Sequence, residues 1–499
     1  MKQITRREFV REAAVSAAAV SLVSCSLSAK AEQKSPKRPN LVFVFPDEFR
    51  KQAIGFMKQD PVITPHLDRF AAESLVLTDA VSNRPVCSPF RAMLLTGKYP
   101  FSNGVTTNCW SATVKHGIRL RESEKCISDV LQDKGYHLGY IGKWHLEAPE
   151  EPYVYPLGPN NAWDEFTPPG PRRHGFDFWH SYGCWDDHLK PHYWSTDAAR
   201  NESKVVEEWS PKHEADVAIS YIQNRDGKQR DPGKPFALFL SMNPPHMPWG
   251  KVPQKYVEMY GEKTCEELLT RPNVDLSAPA AAPARKWARH YFAAVTGVDE
   301  QFGRILQSLK QEGLEENTIV VFTSDHGEMM GSHGLMYKNW WYEESMGIPF
   351  LIRWPGRIPP RRDNLLLSVP DMMPTLLGLM GLADAIPTAV EGRDYSSLML
   401  GKGGTRFQSA LYLNVDPTGA ERGARGVRTS RYTYVVRRGK DGGKGGDKVE
   451  RFLYDNEKDP YQMKSIAAEY PKQAEQLHKE LVYWLERTRD PELDRFKSM

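Results

Sequence analysis

Short apolar runs that end abruptly in polar sequence recur along the first two thirds of the chain. Four of these runs are continuous rather than alternating, which is typical of parallel strands buried on both faces of a sheet. They cover residues 41–45, 136–141, 236–241 and 318–323. Between them, apolar residues recur at helical spacing, as on the stripe of Trp287, Tyr291, Val295, Val298, Phe302, Ile305 and Leu309. The pattern predicts an α/β fold with a large, mostly parallel or mixed sheet between helices.

The pattern changes beyond about residue 385, where the apolar runs become shorter and glycine-rich turns separate them. Residues 410–415, 432–437 and 451–454 are β-like, and an amphipathic helix is expected at about residues 470–489. We therefore predict a large N-terminal domain over residues 39–384. A smaller domain over residues 385–499 is predicted to hold an antiparallel sheet and a closing helix.

The first 38 residues have the pattern of an export signal and a tether. Arg6 and Arg7 form a twin-arginine pair, and the apolar run after them is too short to span a bilayer. This run ends at Cys25, in a context that resembles a bacterial lipobox. An amphipathic helix is the alternative interpretation of the run, and simple cleavage is the alternative to lipidation. We predict a signal over residues 1–25, a polar tether over residues 26–38, and twin-arginine export to the periplasm or cell surface with Cys25 as candidate lipid anchor.

Composition narrows the classes of function. The 499 residues include 66 Lys and Arg against 63 Asp and Glu, a formal net charge of +3. This balance excludes a globally basic nucleic-acid binder, so any anion must be recognised by a few placed cations. Six cysteines are too few for a disulfide scaffold in a chain of this length, and a hydrophobic fraction of 40% supports a sizeable core.

Charged and imidazole side chains follow each predicted strand. Ligands of open parallel sheets bind outside the carboxyl ends of the strands, so these side chains are predicted to converge on one site. They are Asp47, Glu48, Lys143, His145, His246, Asp325 and His326. Among them, Asp47, Asp325 and His326 offer oxygen ligands and an imidazole that suit Ca²⁺ or Mg²⁺.

The decisive motif lies between the first two predicted strands. Cys87, Pro89 and Arg91 form a Cys-x-Pro-x-Arg sequence, and Thr96-Gly97 follow it. Further matches occur in the same order along the chain, at Gly135-Tyr136, Gly142-Lys143-Trp144-His145, Asn243-Pro244-Pro245-His246, Ser324-Asp325-His326-Gly327 and Lys338. On these motifs the chain resembles the type I, formylglycine-dependent sulfatases of the alkaline phosphatase superfamily. The likeness extends over nearly the whole chain after the signal.

The resemblance implies a mechanism. Cys87 is expected to be oxidised to formylglycine (3-oxoalanine) by a maturase, and one oxygen of its hydrate attacks sulfur while the other later expels sulfate. Arg91 and Lys143 are expected to hold the hydrate, and His145 to be its base. His246 and Lys338, with Lys143, are expected to bind sulfate oxygens, and the first two to protonate the leaving group. For His246 and Lys338 the alternatives are a solvated loop imidazole and a surface lysine.

The resemblance also implies a metal site. Asp47, Cys87, Asp325 and His326 are the expected ligands of Ca²⁺, with Mg²⁺ as the alternative ion. His326 stands where many family members have Asn. Glu48 stands where the family usually has Asp, so that it either binds the metal or lies behind the ligands. Leu138, within a strand, replaces the usual small hydroxyl residue of the family.

The sequence says least about the substrate. Residues 172–193 concentrate aromatic, acidic and imidazole side chains, including the candidate substrate contacts Asp187 and His188. Such a mixture suits a sugar ring, although a surface loop with core aromatics is the alternative. With export, it favours a sulfated carbohydrate over an aryl sulfate. A phosphonate monoester or phosphodiester hydrolase of the same superfamily, and a non-catalytic binder of sulfated polysaccharide, are the rival functions.

Overall fold

The computed structural model describes residues 38–158, 161–415, 423–440 and 447–499. Pro39–Met499 form one compact unit. The predicted signal over residues 1–25 and the tether as far as residue 37 lie outside the described residues, and the domain boundary after residue 384 stays a prediction. No helix in the described ranges has both the length and the apolar character needed to cross a bilayer.

A large mixed sheet forms the centre of this unit. Its strands in chain order are β1 (Asn40–Val44), β2 (Leu75–Leu77), β3 (His137–Lys143), β4 (Phe178–Tyr182), β5 (His192–Ser195), β6 (Lys204–Val205), β7 (Phe236–Ser241), β8 (Thr318–Thr323), β9 (Phe350–Arg353) and β10 (Arg361–Asp363). Their spatial order is β10-β2-β9-β8-β1-β7-β3-β4-β5-β6. The five central strands from β8 to β4 run parallel. Antiparallel pairs flank them on both sides, so the predicted α/β class is confirmed.

Helices cover both faces of this sheet, and the last two helices of the chain pack instead with each other and with the C-terminal strands. In chain order they are α1 (Pro65–Ala72), α2 (Cys87–Thr96), α3 (Pro100–Asn103), α4 (Ile127–Asp133), α5 (Ser210–Gln223), α6 (Gln254–Glu258), α7 (Cys265–Leu268), α8 (Ala282–Gln311), α9 (Glu343–Met346), α10 (Val369–Leu379), α11 (Ser396–Met399), α12 (Pro471–Arg487) and α13 (Leu493–Lys497). Leu41 and Phe43 of β1 pack in one core with α2 and α10. Val42 and Val44 point the opposite way and pack in a second core with α5 and α8. The predicted stripe on α8 is buried apart from the half-buried Trp287.

A four-stranded antiparallel sheet follows, as the C-terminal pattern predicts. It consists of β11 (Ser409–Asn414), β12 (Ala424–Thr429), β13 (Tyr432–Lys440) and β14 (Asp447–Asp455), in that spatial order. Strand β12 was not predicted, because its arginines resemble a surface segment. Both are buried instead, where Arg425 pairs with Asp490 at 2.7 Å and Arg428 pairs with Glu343 at 2.9 Å.

Candidate active site

The carboxyl ends of β1, β3, β7 and β8 lie at one edge of the large sheet. Val44 of β1 is in register with Leu240 of β7 and Phe322 of β8, and Gly142 of β3 is in register with Ser241. The four strands therefore end at the same level. Short connections after them carry most of the predicted site residues into one region, as the strand-end rule requires.

Asp47 is the charged centre of this region. Its side chain is fully buried, and its Oδ2 lies 3.0 Å from Nη2 of Arg91 and 2.8 Å from Nζ of Lys143. Arg91 also donates to the Lys143 carbonyl and to Oγ of Ser241, both at 2.6 Å. Burial alone would raise the pKa of Asp47, but the neighbouring Lys143 and Arg91 charges hold it well below its usual range. The site is thus built around an ionised carboxylate.

Cys87 is the first residue of α2, and only 1% of its surface is exposed. Its Sγ lies 3.5 Å from Oδ1 of Asp47, 3.4 Å from Nε2 of His326 and 4.0 Å from Nζ of Lys143. Arg91 follows one helical turn later, which places it on the same side of α2. Burial and the Asp47 charge raise the pKa of the Cys87 thiol well above its usual value.

Four predicted metal ligands lie together at this point. Ligand atoms of Asp47, Cys87, Asp325 and His326 all lie within 4.8 Å of one another, and the four residues are buried. Oδ1 of Asp325 accepts hydrogen bonds from the backbone N–H groups of Glu48 and His326 at 2.9 and 2.8 Å. Its Oδ2 and both carboxylate oxygens of Glu48 have no hydrogen-bond partner within the described residues. Cations lie near two of these oxygens, since Nζ of Lys338 is 3.3 Å from Oε1 of Glu48 and Nη2 of Arg91 is 3.6 Å from Oδ2 of Asp325. Buried carboxylates with free hydrogen-bonding capacity, beside an imidazole, are a donor set that fits a divalent cation.

His145 presents one free ring nitrogen. Its Nε2 lies 3.1 Å from the carbonyl oxygen of Cys109, so Nε2 carries the hydrogen and donates it. Nδ1 has no partner within the described part of the chain. Burial and the Lys143 charge lower the pKa of His145 well below its usual value, so the ring is neutral. A neutral imidazole with an unoccupied nitrogen is able to accept a proton.

His246 and Lys338 form a contact with each other. Nζ of Lys338 lies 2.8 Å from Nε2 of His246, and Nδ1 of His246 lies 2.7 Å from the Met247 carbonyl oxygen. Nδ1 therefore carries the hydrogen, and Nε2 accepts from Lys338. Burial and the Lys338 charge lower the pKa of His246 well below its usual value. In this arrangement the proton between the two groups lies on Lys338, whose Nζ is also 3.3 Å from Oε1 of Glu48.

These groups surround a cavity of about 540 Å³. The residues that line it are Cys87, Asn108, Lys143, His145, Leu157, Trp163, Cys184, Asp186, His246, Met247, Tyr337 and Lys338. All the predicted catalytic residues except Arg91 are among them, and Arg91 lies behind Cys87 against Asp47. A nucleophile at position 87 therefore faces cations and imidazoles across this cavity.

The two predicted substrate contacts have different positions. Asp187 lines a neighbouring cavity of about 240 Å³. His188 is buried, and its Nε2 lies 3.0 Å from the carbonyl oxygen of His246. The structure therefore places His188 behind the His246 loop, where it supports that loop and does not line either cavity.

Some site residues were not predicted. Oδ1 of Asn243 accepts from Lys143 at 3.1 Å, and its Nδ2 donates to Oδ1 of Asp186 at 3.0 Å. Asn243 follows β7 by two residues, so the strand-end rule could have identified it. Trp163 and Asn108 lie in irregular segments whose sequence has no periodicity, and nothing in the pattern indicates them.

Comparisons with known proteins agree with this geometry. The Sulfatase family model matches residues 39–382, and the model for the C-terminal region of N-sulphoglucosamine sulphohydrolase matches residues 331–490. An endo-4-O-sulfatase of Bacteroides thetaiotaomicron is 43% identical, over 92% of this chain and 95% of the relative. An ulvan-active sulfatase of Formosa agariphila is 35% identical, over 89% of this chain and 80% of the relative.

Solved structures agree as well. A Bacteroides fragilis protein assigned as the sulfatase yidJ superposes with a TM-score of 0.86 at 44% identity, over 94% of this chain and 99% of that chain. The chain therefore belongs to the type I sulfatase family of the alkaline phosphatase superfamily. It is a sulfuric ester hydrolase.

The buried ion pairs of Asp47 with Arg91 and Lys143 lead to a prediction about stability. Asp47→Asn leaves the buried Lys143 without its counter-charge and leaves Arg91 with only the more distant Asp325, at 3.6 Å. We expect the free energy of unfolding, measured with a chelator present, to fall by about 3–5 kcal/mol. Denaturant unfolding measures the change. The control is Asp226→Asn in an exposed loop, expected within about 0.5 kcal/mol of the unsubstituted protein. Equal free energies of unfolding for the two variants would show that the buried ion pairs do not stabilise the fold.

Proposed function

We propose that the protein hydrolyses sulfate esters of a carbohydrate, with Cys87 acting after oxidation to formylglycine. The observation that carries this proposal is the position of Cys87 Sγ, which lies within 4.0 Å of Asp47, His326 and Lys143 at a cavity wall. The family supplies the reaction class, and a hydrated aldehyde at this position supplies the attacking oxygen and a second hydroxyl for release of sulfate.

The donor set at the strand ends supports a divalent cation, which we propose to be Ca²⁺, with Mg²⁺ as the alternative. Asp47, Asp325, His326 and the modified residue 87 would hold it, and the buried carboxylate of Glu48 lies at the adjacent position. When bound, the ion supplies Lewis-acid stabilisation of negative charge on the reacting oxygens.

Arg91 and Lys143 keep the nucleophile oriented. Both side chains are already held by Asp47, so their charges lie near position 87 before the reaction begins. No conformational entropy is then lost in placing them during the reaction. The free Nδ1 of His145 is the acceptor for the proton that the attacking hydroxyl must lose. Since its other nitrogen is tied to the Cys109 carbonyl, the ring keeps the orientation that this transfer needs.

Lys338 supplies the proton to the departing alcohol oxygen. Its ammonium group faces the cavity and is held at 2.8 Å by His246, whose Nδ1–H is committed to the Met247 carbonyl. A sugar alcohol is a poor leaving group as an alkoxide, so this protonation contributes to the rate. The two residues also place positive charge and a hydrogen-bonding ring where sulfate oxygens would lie.

A carbohydrate is favoured as substrate by the cavity wall and by the relatives. The half-buried ring of Trp163 lines the cavity, and such a face suits the apolar side of a sugar ring. One relative is named an ulvan-active sulfatase and another an endo-4-O-sulfatase, and both names are compatible with a polysaccharide substrate. Twin-arginine export to the periplasm or cell surface, with an anchor at Cys25, belongs to the same proposal.

The proposal predicts a modified and essential Cys87. In enzyme produced with a formylglycine-generating maturase, we expect the peptide mass to show loss of the Cys87 thiol and sulfate release from sulfated mono- or oligosaccharides. Cys87→Ala should lower that rate by about a thousandfold or more. Cys265→Ala, at a half-exposed free cysteine on α7, is the matched control and should stay active.

Two outcomes would contradict this proposal. A fully active enzyme in which Cys87 can still be alkylated would refute the formylglycine nucleophile. Activity confined to aryl sulfates or to phosphate and phosphonate esters would refute the carbohydrate sulfate.

The proton-donor role predicts a dependence on the leaving group. We expect Lys338→Ala to lower kcat/KM on a sugar sulfate by about a hundredfold or more, because the alkoxide must leave unprotonated. On 4-nitrophenyl sulfate, whose leaving group needs no proton, the loss should be below about tenfold. Exposed Lys310→Ala is the control. Equal losses on both substrates would make Lys338 a sulfate ligand only.

The metal assignment predicts calcium binding that calorimetry can follow without turnover. Asp325→Asn removes the charge of a buried carboxylate whose Oδ2 makes no hydrogen bond within the described residues, and we expect the affinity for Ca²⁺ to fall by at least about tenfold. Asp129 lies in a separate cluster with Cys126 and His174, so Asp129→Asn should leave the affinity unchanged. A loss with Asp129→Asn instead would place the ion in that other cluster.

A further inference from the structure

The catalytic cavity continues into a second cavity. The second one has a volume of about 240 Å³, and it shares four lining residues with the first. These are Leu157, Trp163, Cys184 and Asp186. A substrate that places its sulfate near Cys87 therefore has room for a further unit on this side.

Aromatic rings form the walls of the second cavity. Tyr155 and Trp185 line it together with Trp163, and the centroids of the first two rings are 5.1 Å apart. Behind them His192 lies 4.3 Å from Tyr155, ring to ring, and pairs with Asp164 at 2.8 Å. His192 and Asp164 are each 1% exposed, so the wall is supported by a buried pair. A rigid wall of half-buried aromatic faces suits a sugar ring.

The charges of this cavity are predominantly negative. Asp164, Asp186 and Asp187 line it, whereas Lys251 is the one lysine or arginine among its described lining residues. Nζ of Lys251 lies 3.2 Å from Oδ1 of Asp187, so its charge is already compensated. The side chains of Lys251 and Asp187 are 45% and 30% exposed, which leaves this pair open to a ligand.

Asp186 lies where the two cavities meet. Its Oδ1 accepts from Nδ2 of Asn243 at 3.0 Å and lies 3.6 Å from Nδ1 of His246. Asn243 is an uncharged amide whose Oδ1 accepts from Nζ of Lys143 at 3.1 Å, so it lies between the Asp186 carboxylate and that ammonium group. The sign of the potential therefore changes between the cavities, from the cations Lys143 and Lys338 in the first to carboxylates in the second.

We propose that the second cavity binds the sugar unit linked to the sulfated one, and that this unit is uncharged. The proposal rests on the proposed function and adds the chemistry of the neighbouring unit. Hydroxyl groups of a neutral hexose can donate hydrogen bonds to the carboxylates of Asp186 and Asp187. A uronate carboxylate or a second sulfate would meet like charges there, and this repulsion selects against it.

The test uses two substrates that differ by one group. The first is a disaccharide in which the sulfated sugar is linked to a uronic acid, and the second is the same molecule after reduction of the carboxyl group to a hydroxymethyl group. We expect kcat/KM of the mature enzyme to be about tenfold or more higher for the reduced, neutral substrate. Equal values, or a preference for the uronate, would overturn the proposal.

A variant ties the preference to this cavity. Asp187→Asn removes one negative charge and releases Lys251, so the preference for the neutral substrate should shrink several-fold or reverse. Asp226→Asn changes the net charge equally at a distant exposed loop and should keep the original ratio. An unchanged ratio with Asp187→Asn would overturn the assignment of the selectivity to this cavity.

The sulfated monosaccharide serves as the reference substrate for both enzymes. If the mature enzyme releases sulfate from none of the three sugars, the proposed carbohydrate function fails. If it hydrolyses all three without regard to the carboxyl group, the proposed function stands and the uncharged-neighbour proposal fails.

Discussion

The charge on Asp47 is the interaction on which the rest of the site depends. It joins three segments that are distant in sequence, since the end of β1 carries it, Arg91 reaches it from α2, and Lys143 reaches it from the end of β3. All three side chains are at most 1% exposed, so water cannot replace any partner. The pairs that Asp47 makes with Arg91 and Lys143 therefore both organise the site around Cys87 and stabilise the core. A substitution at Asp47 changes the stability of the fold as well as the site.

The C-terminal sheet takes part in the same arrangement through the segment that carries Lys338. Tyr412 of β11 donates to the carbonyl oxygen of Asn339 at 2.8 Å, and Arg428 of β12 pairs with Glu343 of α9. Burial alone would raise the pKa of Glu343, but the Arg428 guanidinium holds it well below its usual range. The smaller sheet thus supports the segment that carries Lys338, the proposed proton donor. Removing this sheet would remove the support of the cavity wall to which Lys338 belongs.

The sequence predicted the features that depend on local pattern. Continuous apolar runs located the parallel strands, and the strand-end rule brought Asp47, Lys143 and His246 to one edge. Features that depend on distant partners were not predictable. Strand β12 is stabilised by acids that lie 85 and 65 residues from Arg428 and Arg425, and no local signal records such pairs. The same holds for Trp163, whose place in the cavity wall is set by irregular backbone.

The burial of Cys87 bears on the order in which this residue is oxidised and the chain folds. A side chain that is 1% exposed at the first turn of a packed helix offers no room for a second enzyme to grip the chain around it. The proposed oxidation is therefore expected to take place before this segment folds against Asp47, Lys143 and His326. Under the proposed mechanism, activity depends on whether oxidation of Cys87 precedes folding of this segment. A molecule that folds before this oxidation would keep the Cys87 thiol and remain stable but inactive.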